Sequence, residues 1–290
     1  PRSAAPAGGI ARGPVTTESI DDAGFRALTE KIAAERGFAC ASYKDGCLRR
    51  RIAVRMRARA AADFATYAAL LDTDPAEYER LIDALTINVT KLYRDAEVWG
   101  VVAERVIPAL WALDVPRLAV WSAGCASGEE LYTLAALFHR HAERTATLPR
   151  LRSLRILGSD IDRGSLDAAR RGAYPAAAFA EMPAELRQRY FSPGAPHLAA
   201  PELRALVEVE RRDLLNDAAP AGGFHLVACR NVIIYFDRPS QAPLLQRFRE
   251  ALVPGGFLVL GKVETLIGPT RALFEPVDHR QRIFRRGEAA

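Results

Sequence analysis

Long apolar runs are missing from this sequence. Although 49% of its 290 residues are hydrophobic, the sequence contains no run of about 18 consecutive apolar residues, the length that a helix needs to cross a bilayer. The first fourteen residues, PRSAAPAGGIARGP, lack the apolar centre of a signal peptide. Small residues, proline and glycine dominate them, which predicts a flexible leader over residues 1–16. We therefore expect a cytoplasmic protein with a hydrophobic core of ordinary size.

Cysteine and histidine are also scarce. The four cysteines form no CxxC pair and have no metal-ligand spacing; they are Cys40, Cys47, Cys125 and Cys229. His139 and His141 stand two residues apart on a predicted helix, so they would face different directions. The sequence thus predicts no metal site, and it predicts thiols that are reduced and mostly buried.

Charge is modest overall, at +5, but it is unevenly distributed. Six of the twelve residues from 48 to 59 (LRRRIAVRMRAR) are arginine. A helix here would place Leu48, Ile52 and Met56 on one apolar stripe and leave arginines on the other sides. Such a cluster favours an acidic partner: nucleic acid, anionic lipid or an acidic protein surface. The candidate docking residues are Arg50, Arg51, Arg55, Arg57 and Arg59.

The chain changes its pattern once. From about residue 17 to residue 110 the apolar residues follow a helical period without strand-like alternation, which predicts an all-helical unit. After Pro116 short apolar runs alternate with amphipathic stretches, as in LAVWSAG followed by EELYTLAALFHRHAE. This alternation predicts βαβ units and a parallel sheet with helices on both faces. It lapses between residues 174 and 206, which indicates a small insertion.

The segment SAGCASGEE follows the first predicted strand and opens a helix. Gly124 would allow a tight turn and Gly128 a close approach of the backbone to a ligand. The carboxylates of Glu129 and Glu130 would repel a pyrophosphate, and no GKS or GKT is present to hold a triphosphate. A cofactor with a positive sulfonium fits better, and we expect Ala123 and Gly124 to contact it.

Asp160 closes the second predicted strand (RILGSDID). In doubly wound sheets an acidic side chain at this point accepts hydrogen bonds from ribose hydroxyls. The alternative for both Asp160 and Asp162 is to cap the following helix. We favour ribose binding for Asp160 and helix capping for Asp162.

The segment CRNVIIYF (229–236) lies at the end of a later predicted strand, beside the crevice of an open α/β sheet. Methylases that act on base amino groups usually carry an NPPY-like turn here, and this chain has none. Cys229 lacks the Pro-Cys context of a base-carbon nucleophile. Although the basic helix suits a nucleic-acid methyltransferase, we therefore expect no nucleic-acid substrate.

Taken together, six segments of the chain resemble one family, the CheR chemotaxis receptor methyltransferases. They are INVTKLYRD (87–95), WSAGCASGEELYTLA (121–135), SDIDRGSLDAARRGAYP (159–175), RYF (189–191), CRNVIIYFDRPSQ (229–241) and PGGFLVLGKVETL (254–266). The resemblance spans residues 22 to 286. Each segment is moderately specific, whereas their shared order and spacing are strongly specific.

The resemblance implies an α/β fold: a Rossmann-like class I methyltransferase domain with a small inserted β-subdomain, preceded by an all-helical N-terminal domain. Residues 17–94 would form the helical receptor-docking domain with its linker. Residues 95–290 would form the methyltransferase domain, with the inserted subdomain at about 176–212. The arginines of residues 48–59 would then steer docking onto an acidic region of a receptor.

The resemblance also implies an activity. Family members transfer a methyl group from S-adenosylmethionine to receptor glutamates, giving glutamyl methyl esters and S-adenosylhomocysteine. The partner would be the cytoplasmic domain of a chemoreceptor; the membrane would be reached only through it, and nothing demands more than a monomer. Carried onto this chain, the cofactor contacts are Asn88, Thr90, Arg94, Glu129, Asp160, Asp213, Leu214, Arg230 and Asn231.

The implied chemistry needs no strong base, because a glutamate with a pKa near 4.3 is already ionised at neutral pH. The protein must instead align carboxylate oxygen, methyl carbon and sulfur, and remove water from the nucleophile. Two residues are candidate catalytic groups: Arg94, to orient the substrate carboxylate, and Tyr235, as a hydroxyl donor beside the methyl group.

Some segments depart from the family pattern. Residues 91–93 (KLY) replace the common Glu-Phe-Phe, Leu131 replaces a common proline, and Lys262 and Val263 alter a usual GHSE. These changes put receptor choice and catalytic rate in doubt. They support a second hypothesis, in which the chain is a cofactor-binding signalling or scaffold protein outside chemotaxis with little catalysis.

Overall fold

The computed structural model describes residues 20–86 and 90–287. The first part is a helical domain, as predicted, with helices α1 (Ile20–Arg36), α2 (Asp45–Ala58), α3 (Phe64–Thr73) and α4 (Pro75–Leu85). Aspartates cap two of them: Asp63 accepts from the backbone N–H of Thr66 at 2.7 Å, and Asp74 from that of Glu77 at 3.0 Å. The apolar stripe of α2, Leu48, Ile52 and Met56, is buried in the core of this domain, which confirms the predicted helix orientation.

A long helix opens the second domain and is buried in its core. It begins with α5 (Ala96–Val101), widens into a π-helical turn (Val102–Val106) and ends with α6 (Ile107–Trp111). Pro108 has no N–H to donate to the turn before it, and a wider turn accommodates such a break in the ladder. The helical pattern that the sequence shows up to about residue 110 is therefore present here, with one irregular turn.

The second domain is built on a seven-stranded sheet with strand order β5-β2-β1-β6-β7-β9-β8. Its strands are β1 (Leu118–Ala123), β2 (Leu154–Asp160), β5 (Val207–Arg211), β6 (Phe224–Cys229), β7 (Leu252–Leu260), β8 (Glu275–Asp278) and β9 (Ile283–Arg285); β3 (Ala173–Tyr174) and β4 (His197–Leu198) form a separate pair. The helices are α7 (Glu129–Arg144), α8 (Arg163–Arg171), α9 (Ala184–Tyr190), α10 (Pro201–Arg204) and α11 (Arg238–Ala251).

Five neighbouring strands of the large sheet are parallel, and β9 runs antiparallel to both of its neighbours. Every residue of β1 and β6 is buried. Strands that are covered on both faces need such continuous apolar runs. The sequence therefore predicted the parallel sheet correctly.

The insertion lies between α8 and β5. It contains the short β3–β4 ladder, in which Tyr174 pairs with His197, together with α9 and α10. The expected range 176–212 was too long at its end, because β5 pairs with β2 along its whole length and belongs to the main sheet. Its alternating VEVER pattern suits an edge strand.

The order of the strands fixes where a ligand can bind. From β1 the chain moves to β2 and β5 on one side of the sheet and returns to β6 on the other. The loops after β1 and β6 therefore diverge at the carboxyl edge of the sheet and leave a crevice between them. In the described residues no helix is long and apolar enough to span a membrane.

Candidate functional site

The loop after β1 depends on its glycines. Gly124 has φ +78°, and a Cβ there would lie 2.6 Å from a methyl carbon of Val232, which follows β6. Gly128 has φ +93°, and its Cβ would lie 2.9 Å from the Cβ of Ala169. Both positions thus require glycine. At Gly128 the packing of α8 explains the need for glycine, and the close approach of a ligand to its backbone stays a prediction.

Asp160 sits at the carboxyl end of β2 and holds the loop beside it. Its carboxylate accepts hydrogen bonds from the N–H groups of Ala126 (2.8 Å) and Asp162 (3.0 Å). Burial raises the pKa of Asp160, and these hydrogen bonds oppose the rise. Asp162 accepts from the N–H of Ser165 at 2.9 Å at the start of α8, which confirms its predicted capping role.

Two adjacent pockets occupy the crevice. The first pocket is partly open to solvent and combines apolar walls with the carboxyl groups of Asp160 and Asp213. Its lining residues are Tyr43, Leu85, Thr86, Gly124, Asp160, Ile161, Arg212, Asp213, Leu214, Asn231, Val232, Tyr235 and Phe236. It therefore brings together four of the expected cofactor contacts that are far apart in the sequence, together with Gly124.

The second pocket adjoins the first, and both are lined by Gly124, Asn231 and Val232. It is lined by charged groups of both signs: Thr90, Lys91, Arg94, Gly124, Cys125, Ala126, Glu130, Arg230, Asn231 and Val232. The buried guanidinium of Arg230 lies 2.8 Å from a carboxylate oxygen of Asp95 and 3.6 Å from one of Glu130. This pocket suits a small ligand that carries both charges.

The turn after β6 is held by a buried carboxylate. Glu264, only 3% exposed, accepts hydrogen bonds from the N–H groups of Gly261 (2.6 Å), Asn231 (3.0 Å) and Val232 (2.8 Å). A Cβ at Gly261 would lie 2.8 Å from the nitrogen of Asn231, so the two loops touch. Sequence reasoning missed Glu264, because the convergence of these N–H groups exists only in the folded chain.

Two side-chain atoms at the pockets have no hydrogen-bond partner among the described residues: Oδ1 of Asn231 and Nε of Arg230. Both are buried, and both residues line the second pocket. Buried polar atoms are normally satisfied, so an unpaired acceptor and donor at a pocket wall indicate where a ligand can bind.

Two of the described residues that we expect at the cofactor, Ala123 and Glu129, do not line either pocket. Ala123 is fully buried at the end of β1. Glu129 is buried and accepts a hydrogen bond from the hydroxyl of Ser127; its contact with the cofactor stays a prediction. Its neighbour Glu130 lines the second pocket instead and accepts from the hydroxyl of Ser122 at 2.8 Å. Asn88 lies outside the described residues.

The candidate catalytic residues lie in different pockets. Arg94 lines the second pocket, where its carbonyl accepts from the indole N–H of Trp99 (2.9 Å) and from Arg230 (2.8 Å). Tyr235 lines the first pocket. Burial raises the pKa of Tyr235, and the positive charges of Arg51 and Arg94 partly offset the rise. The two side chains thus border the same crevice from opposite ends.

Cys229 is fully buried at the end of β6, and burial raises the pKa of its thiol well above the ordinary value. A thiol in such surroundings is a poor nucleophile. This agrees with the sequence argument against a base-carbon methylase. No group of acidic, histidine or cysteine side chains in the described residues could hold a metal ion.

The arginines of α2 divide into two sets. Arg55 and Arg59 pair with the buried Glu77 at 2.6 and 3.3 Å, and Arg51 donates to the carbonyl of Ala84 at 2.7 Å. These three hold the helical domain together, which corrects the expectation that they are free to steer a partner. The docking residues that remain exposed are Arg50 and Arg57.

Comparison with known proteins gives two matching family models. Residues 23–86 match the all-alpha domain of CheR methyltransferases, and residues 88–283 match their SAM binding domain. The chemotaxis protein methyltransferase 2 of Pseudomonas aeruginosa is 34% identical over 250 residues, which cover 84% of this chain and 86% of that protein.

Two further relatives show the range of proteins whose sequences are similar to this one. The chemotaxis protein methyltransferase of Klebsiella aerogenes is 35% identical over 255 residues, with 84% of each chain covered. An uncharacterised 104.1 kDa protein of Rhodobacter capsulatus is 36% identical over 228 residues. This match covers 78% of the present chain but only 24% of that protein.

Proposed function

Because the chain belongs to the CheR methyltransferase family, we propose that it methylates glutamate side chains of chemoreceptors, with S-adenosylmethionine as the methyl donor. The products are glutamyl methyl esters and S-adenosylhomocysteine. Relatives named as chemotaxis protein methyltransferases support the pathway. We place the reaction in the cytoplasm, with a monomer acting on the cytoplasmic domain of a receptor.

The two pockets fit the two ends of this cofactor. The first pocket offers apolar walls for adenine and the carboxylate of Asp160 for ribose hydroxyls. The second offers Glu130 for an α-amino group and Arg230 for an α-carboxylate. The unpaired Oδ1 of Asn231, at the boundary between the pockets, is available as a further acceptor. When bound, the cofactor supplies a methyl group that its sulfonium has already activated.

One observation supports the choice of a carboxylate as methyl acceptor: Lys91 and Arg94 are among the residues that line the second pocket, which adjoins the first. Cations at this point attract an ionised glutamate and disfavour a positively charged amine. The carboxylate needs no base at neutral pH. The carboxyl groups of Asp160 and Glu264 accept hydrogen bonds from backbone N–H groups, and the mechanism assigns neither of them the role of a base.

The proposed mechanism relies on positioning. Arg94 holds one carboxylate oxygen of the acceptor, so that the other points at the methyl carbon. The hydroxyl of Tyr235 donates a hydrogen bond beside the methyl carbon. The raised pKa of Tyr235 keeps this hydroxyl protonated, so that it can donate. The burial of the pocket walls removes water from the nucleophile.

The departures from the family pattern leave this machinery in place. Lys91 lies 3.7 Å from Glu181 and Lys262 lies 3.1 Å from Glu97, both near the surface. Leu131 is fully buried in the core, and Val263 is 72% exposed. Of these departures only Lys91 lines one of the two pockets, where it adds a cation; we therefore favour an active enzyme over a cofactor-binding scaffold.

The test is methyl transfer with purified protein, labelled S-adenosylmethionine and cytoplasmic fragments of candidate receptors. We expect base-labile label on the receptor, mapped to glutamate. The matched control is Gly124→Ala, because its Cβ would collide with Val232 inside the cofactor site; it should transfer no label. A protein that binds S-adenosylhomocysteine but labels no receptor would support the scaffold hypothesis, and base-stable label would point to another acceptor.

A further inference from the structure

The helical domain reaches into the cofactor site. The match to the SAM binding domain begins only at residue 88. Three residues before it nevertheless line the first pocket: Tyr43, Leu85 and Thr86. Leu85 and Thr86 lie at the end of α4, and Tyr43 precedes α2. The wall of the first pocket that faces away from the sheet therefore comes from the other domain.

The position of Tyr43 is fixed by contacts on both domains. Its ring stacks on Phe38 of the helical domain at 4.9 Å and meets Phe236 edge-on at 5.1 Å. The backbone on either side is also tied across the domains. Lys44 N–H donates to the carbonyl of Tyr235 at 3.0 Å, and Asp237 N–H donates to the carbonyl of Ser42 at 2.9 Å. A ring held in this way is preorganised for a ligand.

The chemical surroundings of Tyr43 match the nucleoside end of the cofactor. Burial raises the pKa of Tyr43 most, and the nearby carboxylates of Asp213 and Asp160 raise it further. The ring therefore stands close to the two acidic groups that we expect at the adenosyl group. An aromatic ring beside hydrogen-bonding carboxylates suits a flat base attached to a sugar.

We propose that Tyr43 is a cofactor-binding residue whose ring forms one wall of the space for the adenosyl group. The helical domain then shares in binding S-adenosylmethionine, in addition to any contact with a receptor. This assignment depends on the cofactor alone, so it stands or falls independently of the methyl acceptor.

The test measures binding of S-adenosylhomocysteine and of 5′-methylthioadenosine, which lacks the amino-acid end, by titration calorimetry. Tyr43→Leu removes the ring and should raise the Kd for both ligands by about tenfold, because the stacking of the ring on the base is lost. Tyr43→Phe keeps the ring and should restore affinity to within about threefold. Unchanged affinity of Tyr43→Leu for both ligands would overturn the assignment.

The matched control is Tyr78→Leu, the same change at a buried tyrosine of the same domain that lines neither pocket. It should lower the unfolding temperature and leave both Kd values unchanged. If it weakens binding as much as Tyr43→Leu, the effect is one of domain stability, and the proposal fails.

Hydrogen exchange on the unaltered chain gives a second measurement that needs no variant. Saturation with S-adenosylhomocysteine should slow exchange at the amides of Tyr43 and Lys44 as well as in the loop of residues 124–128. Slowing confined to that loop, with no change at Tyr43 and Lys44, would contradict a contact from the helical domain.

Discussion

Asn231 shows how single residues shape the site. It adopts φ +60°, a left-handed conformation that asparagine tolerates better than most residues. Its N–H is fixed by Glu264, while its side-chain oxygen stays unpaired at the wall shared by both pockets. The protein thus accepts local strain and an unsatisfied acceptor where a ligand can use them.

Tyr235 gives a prediction at the same scale. Tyr235→Phe removes only the hydroxyl, so kcat for methyl transfer should fall about three- to tenfold, the usual range for one hydrogen bond. The Kd for S-adenosylhomocysteine should stay within about twofold, because the ring remains to line the first pocket. Steady-state kinetics and calorimetry on the same preparation check both values. A kcat equal to that of the parent chain would remove Tyr235 from the mechanism.

Among the elements, helices α2, α3 and α4 are joined by one buried carboxylate. Glu77 on α4 lies 2.6 Å from Arg55 of α2 and accepts a hydrogen bond from the hydroxyl of Tyr67 on α3 at 2.7 Å. Burial alone would raise the pKa of Glu77, but hydrogen bonds from these partners and from Arg59 lower it below 4.5. Some of the arginines of α2 are therefore needed to stabilise the helical domain itself.

A pH dependence of stability follows from this network. A carboxylate whose pKa is lowered by folding stabilises the fold above its unfolded pKa, and that stability is lost as pH falls through the folded value. Glu77→Gln should therefore destabilise the protein at neutral pH by about 3–5 kcal/mol, as expected for breaking a buried pair. Chemical unfolding as a function of pH checks this.

The gap between the two stability curves should narrow below the ordinary glutamate pKa of 4.5. Glu30→Gln, at an exposed position on α1, provides the control and should follow the parent curve throughout. A constant gap between the parent and Glu77→Gln down to low pH would show that Glu77 stabilises by shape rather than by charge.

At the scale of the whole molecule, the outer surface of α2 offers a basic patch beside the crevice. Arg50 and Arg57 are exposed there, whereas Arg51 lies close enough to Tyr235 to affect its pKa. Under the proposed function, a receptor with an acidic surface would engage this patch beside the crevice.

Charge reversal tests this docking surface. The pair Arg50→Glu and Arg57→Glu should raise the KM for a receptor fragment about tenfold at low salt, and less at high salt, because exposed charges are screened. The control pair, Arg117→Glu and Arg152→Glu, makes the same change at exposed positions just before strands β1 and β2, at the end of the sheet away from the crevice. Equal effects from both pairs would show that only net charge matters.

Sequence patterns predicted the elements better than the contacts between them. The apolar stripe of α2 and the buried runs of β1 and β6 depend on local periodicity, which a sequence displays directly. Glu264 and Tyr43 were missed because their partners lie on distant segments. Glu130 was not among the expected cofactor contacts, because which of two adjacent carboxylates lines a pocket depends on how the helix is packed.

The ties between Ser42, Lys44 and the turn after β6 limit how the two domains can be recombined. A chimera that joins a relative's helical domain to this methyltransferase domain would have to place its own backbone groups against Tyr235 and Asp237, and it would replace one wall of the first pocket. A useful exchange of receptor specificity should therefore keep residues 42–44 of this chain and graft only the outer surface of α2. The boundary for engineering lies within the helical domain, not at its end.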